Sequence, residues 1–310
     1  MKLRFLMLLL ILRVVFFSTN LYSQLPISDH VIFVIFENHG YEQIMGSSAA
    51  PYLNSLVGDS ATALFTQSYA MTHPSQPNYL MLFSGSDQGV TNDDVPRNLP
   101  FTSPNLGAAL LLAGRKFAGY SEDLPSIGFD GKYSGDYARK HNPWVNWQGA
   151  QTNGIPATLN LPLSSFPSNY DLLPTVSFVI PNQNHDMHNG ADPERINKAD
   201  AWLKDHLDGY VRWAQSHNSL LIITFDEGYT RTENFFNRIF SIFRDNDESG
   251  GKENNHIFTL FVGEKIKPGS YDQRIDHYRV LRTIEEMYGL PYAGSSATSS
   301  AISNVWKKSQ

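Results

Sequence analysis

An α/β architecture on a central, mostly parallel sheet is what this 310-residue sequence predicts, on three observations. Residues 30–36, His-Val-Ile-Phe-Val-Ile-Phe, form an unbroken β-branched and aromatic run, the pattern of a strand covered on both faces. Shorter apolar runs recur at 176–180, 220–225 and 257–262. Helical patterns at 191–215 and 277–288 fall between and after them, and that alternation puts helices on both faces of one sheet.

The elements follow in order from the N-terminus. Lys2 and Arg4 precede an apolar run at 5–12, and Arg13 interrupts it before a second short run at 14–17. This pattern reads as a secretory signal peptide over residues 1–23 with small Ser23 at its end, followed by a single exported domain over 24–310, periplasmic or extracellular. A buried amphipathic first helix is the alternative. Removing Lys2, Arg4 and Arg13 from the 24 basic residues leaves 21 against 30 acidic ones, so the mature chain is acidic. No Lys/Arg block offers a stripe for phosphate backbones, which argues against nucleic acid as a standing partner. With 41% hydrophobic residues the chain is a packed globule, and beyond the leader no apolar run reaches the roughly 20 residues needed for stable membrane insertion. Cysteine is absent, so any metal must bind through oxygen or imidazole.

Two irregular stretches, 121–170 and 228–256, are long for ordinary connections and read as long loops or small lobes over the sheet that shape an active-site mouth. Within the second, residues 245–250 look like the start of a calcium loop, but His256 falls where the bidentate glutamate belongs, so they read as solvated.

In open parallel sheets ligands bind beyond the carboxyl ends of the strands. Glu37-Asn38 directly follows the first apolar run, His185-Asp186-Met187-His188 follows the run ending at Ile180, and Asp226-Glu227 follows the run ending at Phe225. Adjacent carboxylates at a sheet mouth repel each other unless a cation is present. With Glu37 and the Asn38 carbonyl they would make an oxygen-rich site for one divalent metal ion. Taken alone, Asp226-Glu227 also reads as an acidic helix start.

Ser75 lies between two prolines in Thr72-His73-Pro74-Ser75-Gln76-Pro77-Asn78-Tyr79, at the expected start of a helix whose terminal amides favour an anion. It reads either as a helix cap or as a nucleophile activated by the metal, with Asn78 one turn on to donate its amide to a phosphoryl oxygen. His39, His73, His185, His188, His256 and His277 all fall near these ends or loops, as candidates for metal ligation, phosphate binding or leaving-group protonation, although each taken alone also reads as a surface or capping histidine.

In its ordered motifs the chain resembles the bacterial phosphoesterase family, of acid phosphatase and phospholipase C type, within the alkaline phosphatase superfamily. The motifs are Phe36-Glu37-Asn38-His39, His73 through Tyr79 with Ser84-Gly85, Ile180-Pro181-Asn182 with His185-Asp186-Met187-His188, Thr224 through Gly228, and Asp276 through Glu285. The resemblance implies an alkaline-phosphatase-like fold and a metal shell of Glu37, Asn38, Ser75, Asp226 and Glu227, with Ser75 also forming a phosphoserine intermediate. It implies phosphate or leaving-group contacts from His185, His188 and His277. Two-metal relatives carry an Asp and a His where this chain has Asn182 and Asp186, which favours one metal, of identity Mg, Ca, Mn or Zn.

The expected activity is that of an exported phosphomonoesterase acting on a small phosphate ester or a lipid headgroup. Phospholipase members carry extra carboxyl-terminal domains that are not seen after the helix holding His277. Trp144, Trp147 and the tyrosines of 121–170 are candidates for gripping a lipid or nucleoside. A phosphodiesterase or phospholipase C on the same site is the enzyme alternative. A silent surface protein binding phosphate or anionic glycans is the non-enzyme one.

Overall fold

A computed structural model describes residues 25–228 and 255–308. The leader, the 245–250 stretch and most of the expected loop at 228–256 lie outside those residues. In chain order the elements are β1 (His30–Phe36), α1 (Tyr41–Ile44), α2 (Pro51–Leu56), β2 (Thr62–Tyr69), α3 (Ser75–Ser84), α4 (Leu106–Leu112), β3 (Phe117–Ser121), β4 (Tyr133–Ser134), β5 (Tyr137–Ala138), β6 (Asn160–Pro162), β7 (Val176–Ile180), α5 (Glu194–Ala214), β8 (Ser219–Phe225), β9 (His256–Gly263), β10 (Gly269–Tyr271), β11 (Ile275–Asp276) and α6 (His277–Tyr288).

Nine strands form one sheet in the order β10-β2-β9-β8-β1-β7-β3-β6, with β11 also on β2. Strand β9 runs antiparallel to β2 and β8, while β1 is parallel to β7 and β8. The sheet is therefore mostly parallel, as expected. Its central strand alternates strictly: Val31, Phe33 and Ile35 pack with α3, α4 and α6, while Ile32, Val34 and Phe36 pack with α2 and α5. Each of these fully buried side chains contributes about 1.5–3 kcal/mol. Because β1 is covered on both faces, the residues free to meet a ligand are those just past its carboxyl end.

Helix α3 ends at Gly85, whose φ of 69° is left-handed and where a Cβ would lie 2.0 Å from the Ala293 carbonyl oxygen. That close approach ties α3 to the segment after α6, since Ser295 donates its N–H to Gly85 O at 2.8 Å. At the start of α6, Asp276 caps the helix by accepting from the Arg279 N–H, leaving His277 as its first residue.

The 121–170 stretch is a small folded lobe, one of the two forms expected for it, and not an extended loop. It holds the β4–β5 hairpin and short 3₁₀ turns at Arg139–His141 and Pro143–Trp147. Trp144 and Trp147 are fully buried and bonded internally, Trp144 Nε1 to Asn160 Oδ1 at 2.9 Å and Trp147 Nε1 to Ser103 O at 2.8 Å. The two indoles are core, not a substrate platform. Gly119 of β3 makes room for the first, because a Cβ there would lie 2.1 Å from the Trp144 ring.

Candidate active site

The parallel register of β1 and β8 delivers two acidic ends side by side. Phe36 faces Phe225, so Glu37 and Asp226 emerge together, with the Asp226 N–H donating to Phe36 O at 2.9 Å. Asn38 adopts a left-handed φ of 53°, a conformation Asn tolerates better than most residues, and its N–H donates to Asp226 Oδ1 at 3.0 Å. Its side-chain amide donates to Glu37 Oε2 at 2.8 Å. Glu227 follows, held by His73 Nδ1 at 2.6 Å from Oε2.

Ser75 opens α3 into this cluster. Its Oγ–H donates to Glu37 Oε2 at 2.9 Å, and Oγ lies 3.5 Å from Glu227 Oε1. Side chains 38 and 152 residues apart along the chain thus meet at one point. Burial, with Glu37 and Glu227 nearby, pushes the Asp226 carboxyl well above its usual range, and burial also raises Glu227. Asp226 Oδ2 is buried and has no hydrogen-bond partner among the described residues. Glu37 and Glu227 meet at Ser75 Oγ, with Asp226 and its orphaned oxygen near both, and the chemistry of this donor set suits a hard divalent cation. Glu37, Asp226 and Glu227, with the Ser75 hydroxyl and the Asn38 amide oxygen as neutral donors, would hold it.

The other predicted residues are placed differently. Asn78 is spent on the preceding loop: its amide donates to Thr72 O (2.8 Å) and Pro74 O (3.2 Å), and Oδ1 accepts from the N–H groups of Met71 and Thr72. It shapes the approach to Ser75 and has no amide hydrogen left for a phosphoryl group. His277 is buried with Nε2 donating to Phe225 O at 3.0 Å, so it braces the end of β8. His185 pairs through Nδ1 with Glu122 at 3.0 Å, at the rim. His188 reaches the site indirectly, with Nε2 3.4 Å from Lys140 Nζ. Asn182 is bonded to Asp123 at 2.7 Å and Asp186 is enclosed by His141 and the His188 N–H.

Sequence reasoning misses Lys140 and His141 entirely. His141 is buried between two carboxylates, Nε2 3.0 Å from Glu37 Oε1 and Nδ1 3.1 Å from Asp186 Oδ2, with Tyr79 stacked on its ring. Burial opposes its charge, but Glu37 and Asp186 outweigh that and raise it to about 9. Desolvation likewise acts to raise Glu37, yet His141 and Lys140 hold its carboxyl well below the usual range. Lys140 lies 3.9 Å from Glu37 Oε2 and 3.5 Å from Ser75 Oγ. The one local signal is a run of three basic residues, Arg139-Lys140-His141, inside a mostly uncharged stretch.

Comparison with known proteins identifies the family and the fold. The sequence profile of the Phosphoesterase family matches residues 47–291. A phosphatidylinositol-3-phosphatase of Mycobacterium tuberculosis is 42% identical over 286 residues, covering 92% of this chain and 85% of that protein. A probable acid phosphatase of Kluyveromyces lactis is 29% identical over 273 residues, covering 84% of this chain but 59% of its own length, so this chain spans about three fifths of that relative. Among solved structures, a protein in the alkaline phosphatase superfamily from Vibrio parahaemolyticus superposes with a TM-score of 0.56 at 12% identity, over 88% of this chain and 71% of that one, a likeness of fold. With its profile matched across most of its length and its fold of the alkaline phosphatase type, this chain belongs to the phosphoesterase family and is a phosphoric ester hydrolase.

Proposed function

We propose that this chain is an exported, metal-dependent phosphomonoesterase that works through a phosphoserine at Ser75, as one domain over residues 24–310 once the leader is removed. The observation that carries the reading is the convergence of Ser75 Oγ with Glu37 at 2.9 Å and Glu227 at 3.5 Å beside the orphaned oxygen of Asp226. Bound to Glu37, Asn38, Ser75, Asp226 and Glu227, one divalent ion would lower the charge cost of the serine alkoxide and of the phosphoryl oxygens.

The chain's own groups carry the proton traffic. Glu227, whose carboxyl burial raises and whose Oε1 lies 3.5 Å from Ser75 Oγ, takes the serine proton as Oγ attacks phosphorus, while Glu37, held well below its usual range, stays ionised. His73, fixed by Glu227 through Nδ1 and partly exposed, has Nε2 as its remaining proton-transfer atom and delivers a proton to the departing ester oxygen. Water then attacks the phosphoserine and gives a proton back to His73 Nε2, the Oγ–P bond breaks, and Ser75 recovers its proton from the carboxylate that took it as inorganic phosphate leaves. His141, clamped to Asp186, keeps Glu37 aligned throughout.

The substrate class is a phosphate monoester on a small molecule or a lipid headgroup. The phosphatidylinositol-3-phosphatase named among the relatives supports an inositol headgroup as one member of that class. The test is hydrolysis of a chromogenic phosphate monoester, with acid-quench capture of phosphate on Ser75. Ser75→Ala should lose at least about 10³-fold in kcat and all captured label, and Asp226→Asn should lose activity together with metal. Turnover by Ser75→Ala near the wild-type rate would overturn the reading.

A further inference from the structure

Lys140 is a charged side chain that the expected metal-and-serine scheme does not use. It stands on the 3₁₀ turn Arg139–His141, its side chain only 7% exposed, where an ammonium is costly unless its donors are all met. An ammonium has three donors, and three acceptors surround Nζ: Asp93 Oδ2 at 3.0 Å, His188 Nε2 at 3.4 Å and Ser75 Oγ at 3.5 Å. The His188 ring suits this role, because Nδ1 faces Asn189 Oδ1 at 3.0 Å and must donate there, which leaves a lone pair on Nε2 for the lysine.

Asp93 is itself anchored to the nucleophile's helix. Its Oδ1 accepts the Gln76 N–H at 3.0 Å, in the first turn of α3, while Oδ2 holds Lys140. The Gln76 side chain in turn ties down Asn92 O and Asp94 O, each at 2.8 Å. One carboxylate therefore sets the positions of both Ser75 and Lys140. A lysine serving only to neutralise Asp93 could do so from the surface, with its other donors in water. Here the third donor is spent on the reacting oxygen. A permanent cation 3.9 Å from Glu37 Oε2 also repels any dication held by that carboxylate, and a phosphoryl group seated between the two would relieve the repulsion.

We propose that Lys140 is a catalytic residue, its ammonium donating to Ser75 Oγ and to the adjoining phosphoryl oxygen, with Asp93 and His188 as positioning residues. This rests on the serine-nucleophile reading above. Lys140 stays protonated throughout. It stabilises negative charge on Oγ when that atom attacks phosphorus and again when the Oγ–P bond breaks, and no proton is transferred from it. Its contribution belongs to the charged states of the reaction, so its loss should fall on kcat more than on KM.

The experiment uses the full chain loaded with a divalent metal, with bound metal quantified for each variant. Lys140→Ala should lose about 10²–10³-fold in kcat on a chromogenic monoester while keeping its metal, and added propylammonium should restore part of that rate. Asp93→Asn, at a partly exposed position and so a safer fold, should lose about tenfold in kcat with little change in KM. Inorganic phosphate should inhibit Lys140→Ala more weakly than wild type. A Lys140→Ala enzyme within threefold of wild type, or one whose lost rate no alkylammonium restores although Asp93→Asn is fully active, overturns the proposal. If Ser75→Ala is inert in the same assay, that failure belongs to Lys140 alone; if Ser75→Ala is active, the serine reading has failed first.

Discussion

The candidate active site has two halves built by different means. The carboxylate half stands on the first residues after β1 and β8, neighbouring parallel strands whose register places Glu37 beside Asp226. The cationic half, Lys140 and His141, stands on a single 3₁₀ turn that hangs from β3 by the burial of Trp144 over Gly119. The first half follows from strand pairing; the second depends on side-chain packing. Damage to the packing should therefore disable the cationic half while the carboxylate half keeps its geometry.

The sharpest way to break this contrast is at the joint between the halves. His141→Gln removes the charge bridging Glu37 and Asp186 while keeping a polar side chain. A loss of about 10–100-fold in kcat/KM, with weaker metal retention, is expected from steady-state kinetics and metal titration. Wild-type kinetics in that variant would mean the halves act independently.

A smaller effect is expected further from the reacting atoms. Gly119→Ala forces a methyl into the Trp144 ring and should cost about 1–3 kcal/mol in chemical denaturation. Because the displaced ring carries the turn that follows Arg139–His141, kcat should fall while bound metal does not. Loss of metal in step with kcat would show that the two halves share one support.

The smallest effect on turnover is expected of a control outside both halves. On α6, Glu285 accepts from the Ala293 N–H and the Ser296 hydroxyl, and burial raises its pKa from the ordinary 4.5 to about 7. Its folded pKa lies above the unfolded one, so its stabilising contribution is complete below about 4.5 and is lost as pH rises through about 7. Glu285→Gln should thus match wild type near pH 4 and be more stable by about 3 kcal/mol at pH 8, with kcat unchanged. Thermal melts across that range check the slope, and a parallel pH dependence in both proteins would reject the assignment.

Much of the carboxylate half is legible in the order of residues along the chain. The run at 30–36 is the observed β1, residues 277–288 are the observed α6, and Glu37, Asp226 and Ser75 lie where strand ends and a helix start are expected. β2 and β3 carry weaker signals, because Thr62–Tyr69 mixes polar with apolar residues and Phe117–Ser121 is short and carries Gly119. Asn78 reads as a free amide because helical spacing alone shows proximity to Ser75, and not that the loop before it takes up every hydrogen bond the amide can make.

What the sequence determined by itself was the set of chemical groups and the strand ends that carry them, since apolar period and the residues that interrupt it are local properties of a chain. Packing, in contrast, set which histidines stand at the carboxylate cluster and brought a lysine to Ser75. His277 braces a strand, His141 bridges Glu37 and Asp186, and Lys140 meets Ser75 across 65 residues of chain. The physical reason is that a side chain's partners are set by which surfaces pack together when the core closes. Here two buried tryptophans, which the sequence alone suggests as ligand contacts, form the packing that brings the basic turn to Ser75.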